Sequence, residues 1–282
     1  MQKFKNWTMG SIVGKLFCFI IISFVVIISI GPFIWLLASS FMGNSDIVSG
    51  TMSYSSGFHP ENYLKAFQLA PIAQYFSNSI VIGFCGTALN LLVSSMAAYV
   101  VARYNFKLRA FMSLCFASIL FIPGSALLHP VYTTMTQMEL DDTKLALILV
   151  YTGIGMATSF FILSSYYNTI PQSLEEAAFI DGADFFTVFF KIIVPLSLPA
   201  YVTAGILQFL TCWNDFTFAM ILTTGDSART LPIALYYFTM QFGADYGILF
   251  AATIIIAAPS IILFCFTQKY VIEGLTTGSV KG

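Results

Sequence analysis

Asp215 stands inside an apolar stretch of the sequence, where a carboxylate is costly unless it faces protein or water. On a helix turning about 100° per residue, Gln208, Thr211, Asn214 and Asp215 fall in one polar stripe with Trp213 beside it. Asn, Gln and Asp side chains hydrogen-bond sugar hydroxyls, and an indole packs on the C–H face of a sugar ring. The stripe therefore suits the lining of a carbohydrate path, and it equally suits a helix–helix contact held by interhelical hydrogen bonds. A second group of carboxylates, Glu175, Glu176, Asp181 and Asp184, is gathered between Pro171 and Pro195. Covalent chemistry has no visible carrier. The sequence has no G-x-x-x-x-G-K-[ST] phosphate loop, no G-x-S-x-G, no H-E-x-x-H and no pair of aspartates within an apolar stretch. His59 and His129 stand alone without metal-ligand spacing. The five cysteines occur singly within apolar runs, as small buried hydrophobes do.

The elements that must position these residues are membrane spans. The 282 residues are 58% hydrophobic and 9% charged, with a mean hydropathy of +0.84, whereas soluble domains carry about 25% charged residues. A net charge of −1 gives no footprint for nucleic acid. Six apolar stretches, 16–41, 79–102, 108–128, 145–166, 196–222 and 247–271, are each long enough to cross a bilayer as a helix. They predict an all-α membrane protein of one transmembrane domain, 1–282. Pro123 and Gly124 interrupt the third stretch, and Pro32, Pro199 and Pro259 fall in or at the edge of others. The first is read as an uncleaved helix, because no charge separates Lys15 from Asp46 and a signal peptide's apolar core is only about 7–15 residues.

Orientation follows from Lys and Arg. Lys3, Lys5, Lys15, Arg103, Lys107, Arg109, Lys191, Lys269 and Lys281 share the side of both termini, against Lys65, Lys144 and Arg229 on the other. Positive charge marks the cytoplasm, so both termini are expected there.

The loop 171–195, on the same side, reads as helix, turn, helix. Ser173 and Glu176 form a capping-box pattern, Ala177 and Ala178 favour helix, Gly182 can end it in a left-handed conformation, and Asp184 can cap a second helix over 185–193 before Pro195. The order E-A-A, three residues, Gly, nine residues, then I-x-x-P (Glu176-Ala177-Ala178, Gly182, Ile192, Pro195) resembles the motif of ABC-importer permeases, with Val194 where that family has leucine. Asp181-Gly182-Ala183, Glu61-Asn62-Tyr63, Trp213-Asn214-Asp215-Phe216, Thr230-Leu231-Pro232 and Asp245-Tyr246-Gly247 resemble the carbohydrate branch. The ending Glu273 to Gly282 resembles the maltose-type permease that comes second in its heterodimer.

The resemblance implies the type I ABC-importer permease fold in a bacterial inner membrane. It also implies a coupling helix docking on an ATP-hydrolysing subunit through Glu175, Glu176, Ala177, Ala178, Asp181, Gly182 and Pro195. A glycine-rich tail (Gly278, Lys281, Gly282) would reach between two ATPase subunits. Implied partners are a second permease, the ATPase dimer, an extracytoplasmic solute-binding protein facing the segment 43–73, a carbohydrate and membrane lipid. ATP and Mg would be held by the ATPase, and this chain would have no cofactor, metal or catalytic residue of its own. In the maltose-type family, bound sugar is contacted mainly by the partner permease. The rival class is an ion-coupled secondary transporter with Asp215 as its ion site; such folds show paired internal repeats and several intramembrane charges, and neither is visible in this sequence.

Overall fold

The computed structural model describes residues 9–50, 54–240 and 245–277, and they contain helices, turns and loops with no strand. In chain order the helices are α1 (Met9–Ser39), α2 (Asn44–Val48), α3 (Glu61–Leu69), α4 (Ile72–Arg103), α5 (Arg109–Ile119), α6 (Leu128–Gln137), α7 (Lys144–Gly153), α8 (Met156–Tyr167) and α9 (Ser173–Ile180). They continue as α10 (Phe185–Val188), α11 (Val194–Leu196), α12 (Leu198–Asn214), α13 (Thr217–Leu222), α14 (Ala234–Met240) and α15 (Tyr246–Thr277).

Three continuous helices are long and apolar enough to cross a membrane, within α1, α4 and α15, and three bent pairs bring the number of candidate spans to six. The six expected regions are present, but half of them are broken. The third, expected over 108–128, is α5 and then a 3-10 turn (Gly124–Leu127) running into α6, with a 100° bend. Pro123, extended at φ −66° and ψ 135°, sits at that break. The fourth bends by 47° between α7 and α8, where Ile154 is extended and Gly155 has φ +81°. The fifth bends by 79° at Ser197, just before the Leu198–Pro199 start of α12, and ends at Asn214 rather than 222. The second begins at Ile72 rather than 79, because the polar Asn78 and Ser79 are buried inside the helix and do not mark its start.

The chain falls into two compact units where the sequence suggests one domain: Met1–Leu69 with Phe238–Ile255, and Ala70–Tyr237 with Ile256–Gly282. In the first, the apolar residues 16–37 of α1 point largely outward, as lipid-facing side chains do. Buried Asn62 closes the turn after α1 by donating to the carbonyls of Ser40 (3.0 Å) and Met42 (3.1 Å). Trp35 meets the edge of Phe250 at 5.3 Å.

In the second unit α4 is central and packs on α7, α8 and α12. Its buried face is made of small and polar residues, including Asn78, Ser79, Asn90, Ser94 and Ser95, which let helices approach closely without a hydrophobic driving force. At Gly86 a β-carbon would lie 3.2 Å from the Tyr151 side chain. Toward Arg103 the unit closes over Tyr99, Phe160, Leu163, Tyr167, Val188 and Phe189, and toward Ile72 over Leu147, Tyr151, Phe218, Leu222 and Ile233.

Candidate functional sites

The 171–195 loop folds as a helix, a sharp turn and a second helix. Helix α9 ends in a left-handed Gly182 (φ +86°), with the amide of Gly182 on the Phe179 carbonyl (3.1 Å) and that of Ala183 on the Ala178 carbonyl (3.0 Å). This paired arrangement satisfies the last free carbonyls of the helix. Asp184, extended, then accepts from the Thr187 amide at 3.1 Å and starts α10. Hydrogen bonds from the Thr187 hydroxyl and amide hold its carboxyl below the ordinary carboxylate range. The expected capping box does not form. The amides of Glu175 and Glu176 donate to the Gln172 carbonyl, and Leu174 donates to Pro171, so backbone carbonyls have taken the place of the Ser173 side chain. The second helix is not uniform either. Residues Phe189–Ile193 form a π-helical turn, with the Val194 amide bonded to the Phe189 carbonyl, before Pro195.

The side chains of α9 divide by face. Glu176, Ala177, Asp181 and Gly182 are exposed, as are the apolar Phe179 and Ile180, the latter at 86%; Ala178 is half-buried and Pro195 is exposed. Glu175 is turned the other way and is the one buried residue of the helix. Its Oε1 lies 2.6 Å from Arg103 Nε, and its Oε2 accepts from the Tyr99 hydroxyl at 2.6 Å. The first contact is an ion pair without hydrogen-bond alignment, and the second is a hydrogen bond. Arg103 also donates from Nη2 to the Ile170 carbonyl at 2.8 Å. Tyr99 and Arg103 were not singled out from sequence for this site. Arg103 weighed only as a positive charge, and nothing local to Tyr99 marks it.

The polar stripe of the fifth span is divided. Asp215 does not lie inside a helix: α12 ends at Asn214, and Asp215 is its extended C-cap (φ −70°, ψ 123°). The break explains how a carboxylate is held there. Its Oδ2 accepts from the Tyr151 hydroxyl (2.8 Å) and the Ala219 amide (3.0 Å), and its Oδ1 receives a longer bond from the Phe218 amide (3.4 Å), so that it caps α13. With Tyr151, Ile154, Thr211, Asn214 and Phe218, it lines a cavity of about 160 Å³. The Ser260 hydroxyl donates to Asn214 Oδ1 at 3.2 Å.

Gln208 leaves the stripe, and Trp213 beside it is buried as well. Gln208 is buried, and its Nε2 donates to the carbonyls of Tyr151 (2.7 Å) and Ile154 (2.9 Å), two of those freed by the α7–α8 break. Asn90 Nδ2 donates to a third, that of Thr152, at 2.8 Å. Trp213 is buried against Phe76 and Phe209, with ring centroids 5.7 Å from each. Straight-helix geometry groups Gln208, Thr211, Asn214 and Asp215 with Trp213 beside them; the break after Asn214 and the partners on other helices separate them. Tyr151, which joins the cavity to the break, carries no sequence signal beyond an aromatic in an apolar run. The tail residues Gly278, Lys281 and Gly282 lie outside the described residues.

Up to six candidate spans, three of them broken, with a small cavity beside Asp215 and a capped two-helix loop, are the features of a polytopic membrane protein. The chain belongs to the family of binding-protein-dependent transport system inner membrane components, whose model matches residues 90–273. It is 32% identical over 270 residues to the sulfoquinovosyl glycerol transport system permease protein SmoH of Agrobacterium fabrum, covering 95% of each chain. It is 33% identical over 262 residues to the trehalose/maltose transport system permease protein MalG of Thermococcus litoralis, covering 92% of this chain and 94% of that one. Its fold matches a chain in the crystal structure of a bacterial ABC transporter involved in import of the acidic polysaccharide alginate, with a TM-score of 0.83, 18% identity, and coverage of 94% and 99%.

Proposed function

We propose that this chain is one of two permease subunits of an ATP-driven, binding-protein-dependent carbohydrate importer. It forms half of the translocation pathway and moves by alternating access. Both termini and the 171–195 loop face the cytoplasm, in line with the distribution of Lys and Arg. Two copies of a separate ATPase hold ATP and Mg and dock on the outward face of α9, and a solute-binding protein delivers sugar from the other side. The names of relatives such as MalG and SmoH support a sugar as the cargo. Nothing covalent happens in this chain; a difference in binding free energy between two conformations drives the switch.

The observation that carries the reading is the form of α9. A short helix, closed by a left-handed glycine, leaves Glu176, Ala177, Phe179 and Ile180 exposed. Exposed apolar side chains beside a carboxylate suit a cleft with an apolar floor and a basic or polar rim. In the cavity, the exposed Thr211 and Asn214 and the half-buried Asp215 offer hydrogen-bonding groups to sugar hydroxyls. The residues Gly278, Lys281 and Gly282 would extend the contact with the ATPases.

An ion site at Asp215, as in a secondary transporter, is opposed by its surroundings: three of its about four acceptor positions are taken by Tyr151 and two amides of α13, and the cavity lining brings it no second carboxylate. The deciding experiment is purification of the tagged chain from its native membrane in mild detergent, with protein identification and an ATPase assay. Recovery of a second permease and an ATPase, with hydrolysis stimulated by binding protein and sugar, is expected. Transport that persists with no ATPase present would overturn the reading.

A further inference from the structure

Helix α9 is fixed to the bundle in an unusual way. A surface helix ordinarily buries an apolar stripe, yet the residue α9 buries is Glu175, while Leu174, Phe179 and Ile180 stay exposed. A carboxylate is costly to bury unless it is paired and hydrogen-bonded, and it is paired with Arg103, whose side chain is 5% exposed, and hydrogen-bonded by Tyr99, which is fully buried. Well-packed apolar residues would hold a helix in place at least as well as a buried ion pair. What the charged group adds is direction. The Arg103 guanidinium holds the Glu175 carboxylate with one edge and the Ile170 carbonyl, just beyond α8, with another.

Arg103 is the last residue of α4, which runs unbroken from Ile72 among interrupted neighbours. Along its length α4 holds neighbouring segments of its unit through polar side chains. Asn90 and Ser94 take the carbonyls of Thr152 and Met156 on either side of the α7–α8 break. At the far end, Tyr75 donates to Asp226, Asn78 donates to the carbonyls of Asp226 (3.2 Å) and Arg229 (2.9 Å), and Ser79 accepts from the Leu231 amide (2.7 Å).

We propose that the buried Arg103–Glu175 pair, held by Tyr99, is the positioning link through which displacement of α9 reaches α4. Helix α4 then works as a push rod from the coupling loop to the 226–231 segment at the opposite end of the unit. The inference rests on the ATPase-coupling reading of α9. Glu175 and Arg103 touch neither nucleotide nor sugar; they act through α4.

The test is hydrogen exchange on the intact importer, purified with the tagged native chain or a variant, without nucleotide and with MgATP plus vanadate. In the native complex, nucleotide is expected to change exchange both in α9 and at 226–231. In Glu175→Gln the response of α9 should persist while that at 226–231 shrinks about tenfold, and Glu175→Asp, which keeps the charge, should restore most of it. A purely structural pair would instead raise exchange equally with and without nucleotide, and that result overturns the proposal. A response at 226–231 in Glu175→Gln equal to the native one also overturns it. Should Glu175→Gln not assemble, Arg103→Lys decides, because it keeps the buried charge but loses the fork that holds Glu175 and the Ile170 carbonyl together: a reduced response at 226–231 supports the link, and an unchanged one overturns it. If the native chain recovers no ATPase, the coupling reading itself falls, which is a separate outcome.

Discussion

Gly182 closes α9 from the left-handed region of backbone space. Its φ of +86° is a conformation that L side chains rarely adopt, and no heavy atom would lie within 4 Å of an added β-carbon. The cost of substitution there is therefore backbone strain alone, about 1–2 kcal/mol. Gly182→Ala is expected to assemble and lose part of its transport. Gly182→Val, adding a β-branch, should lose most of it while ATP hydrolysis runs uncoupled, as measured by the ratio of uptake to phosphate release in proteoliposomes. Gly155 also has a positive φ, but there a β-carbon would come within 2.0 Å of Gln208 Oε1. Gly155→Ala should therefore lower thermal stability more than Gly182→Ala does. Gln208→Ala leaves two buried carbonyls without their donor and should cost about 2 kcal/mol, read as a lower melting temperature in detergent. The inward turn of Glu175 was not legible. Two successive glutamates on a short helix have the same chemistry about 100° apart, and only Arg103, far away in sequence, selects between them.

At the scale of the element, the six apolar stretches were legible from composition, and the breaks within them only in part. Pro123 and Pro199 announce two of them, whereas the α7–α8 break carries no proline. It exists because Asn90 on α4 and Gln208 on α12 satisfy the carbonyls it frees, and such partners cannot be read from the broken segment alone. The same limit applies to Asp215, which looks like a mid-helix acid until its role in capping α13 is seen. Asp215→Asn keeps oxygen and shape and should retain the fold; Asp215→Ala should loosen α13, seen as faster exchange of the Phe218 and Ala219 amides. The cap at Asp184 gives a pH test. Its carboxyl titrates below the ordinary 3.8, so the stabilisation is complete above that value and is lost as pH falls through the lowered one. Protection of the Thr187 amide is expected to be constant from neutral pH down to about 4 and to fall only below that.

At the scale of the whole molecule, family membership rests on matches spread along the chain, and much of that order was visible in short motifs from Glu61 to Gly282. The two compact units were not visible, since no linker or shift in composition separates them. Deleting 274–282 is expected to leave the permease assembled while lowering the stimulation of ATP hydrolysis by binding protein; unchanged stimulation would mean that the tail has no part in coupling.

The π-helical turn at Phe189–Ile193 sets an angular phase. It accommodates one residue more than an α-helix would over the same turn, and that residue dials everything upstream by about 100° around the helix axis. The heading of α9 is thus counted out in residues as well as held by contacts. Removing a single residue between 189 and 193 would leave the sequence of α9 unchanged and yet turn the helix so that Glu175 is drawn away from Arg103 and Tyr99.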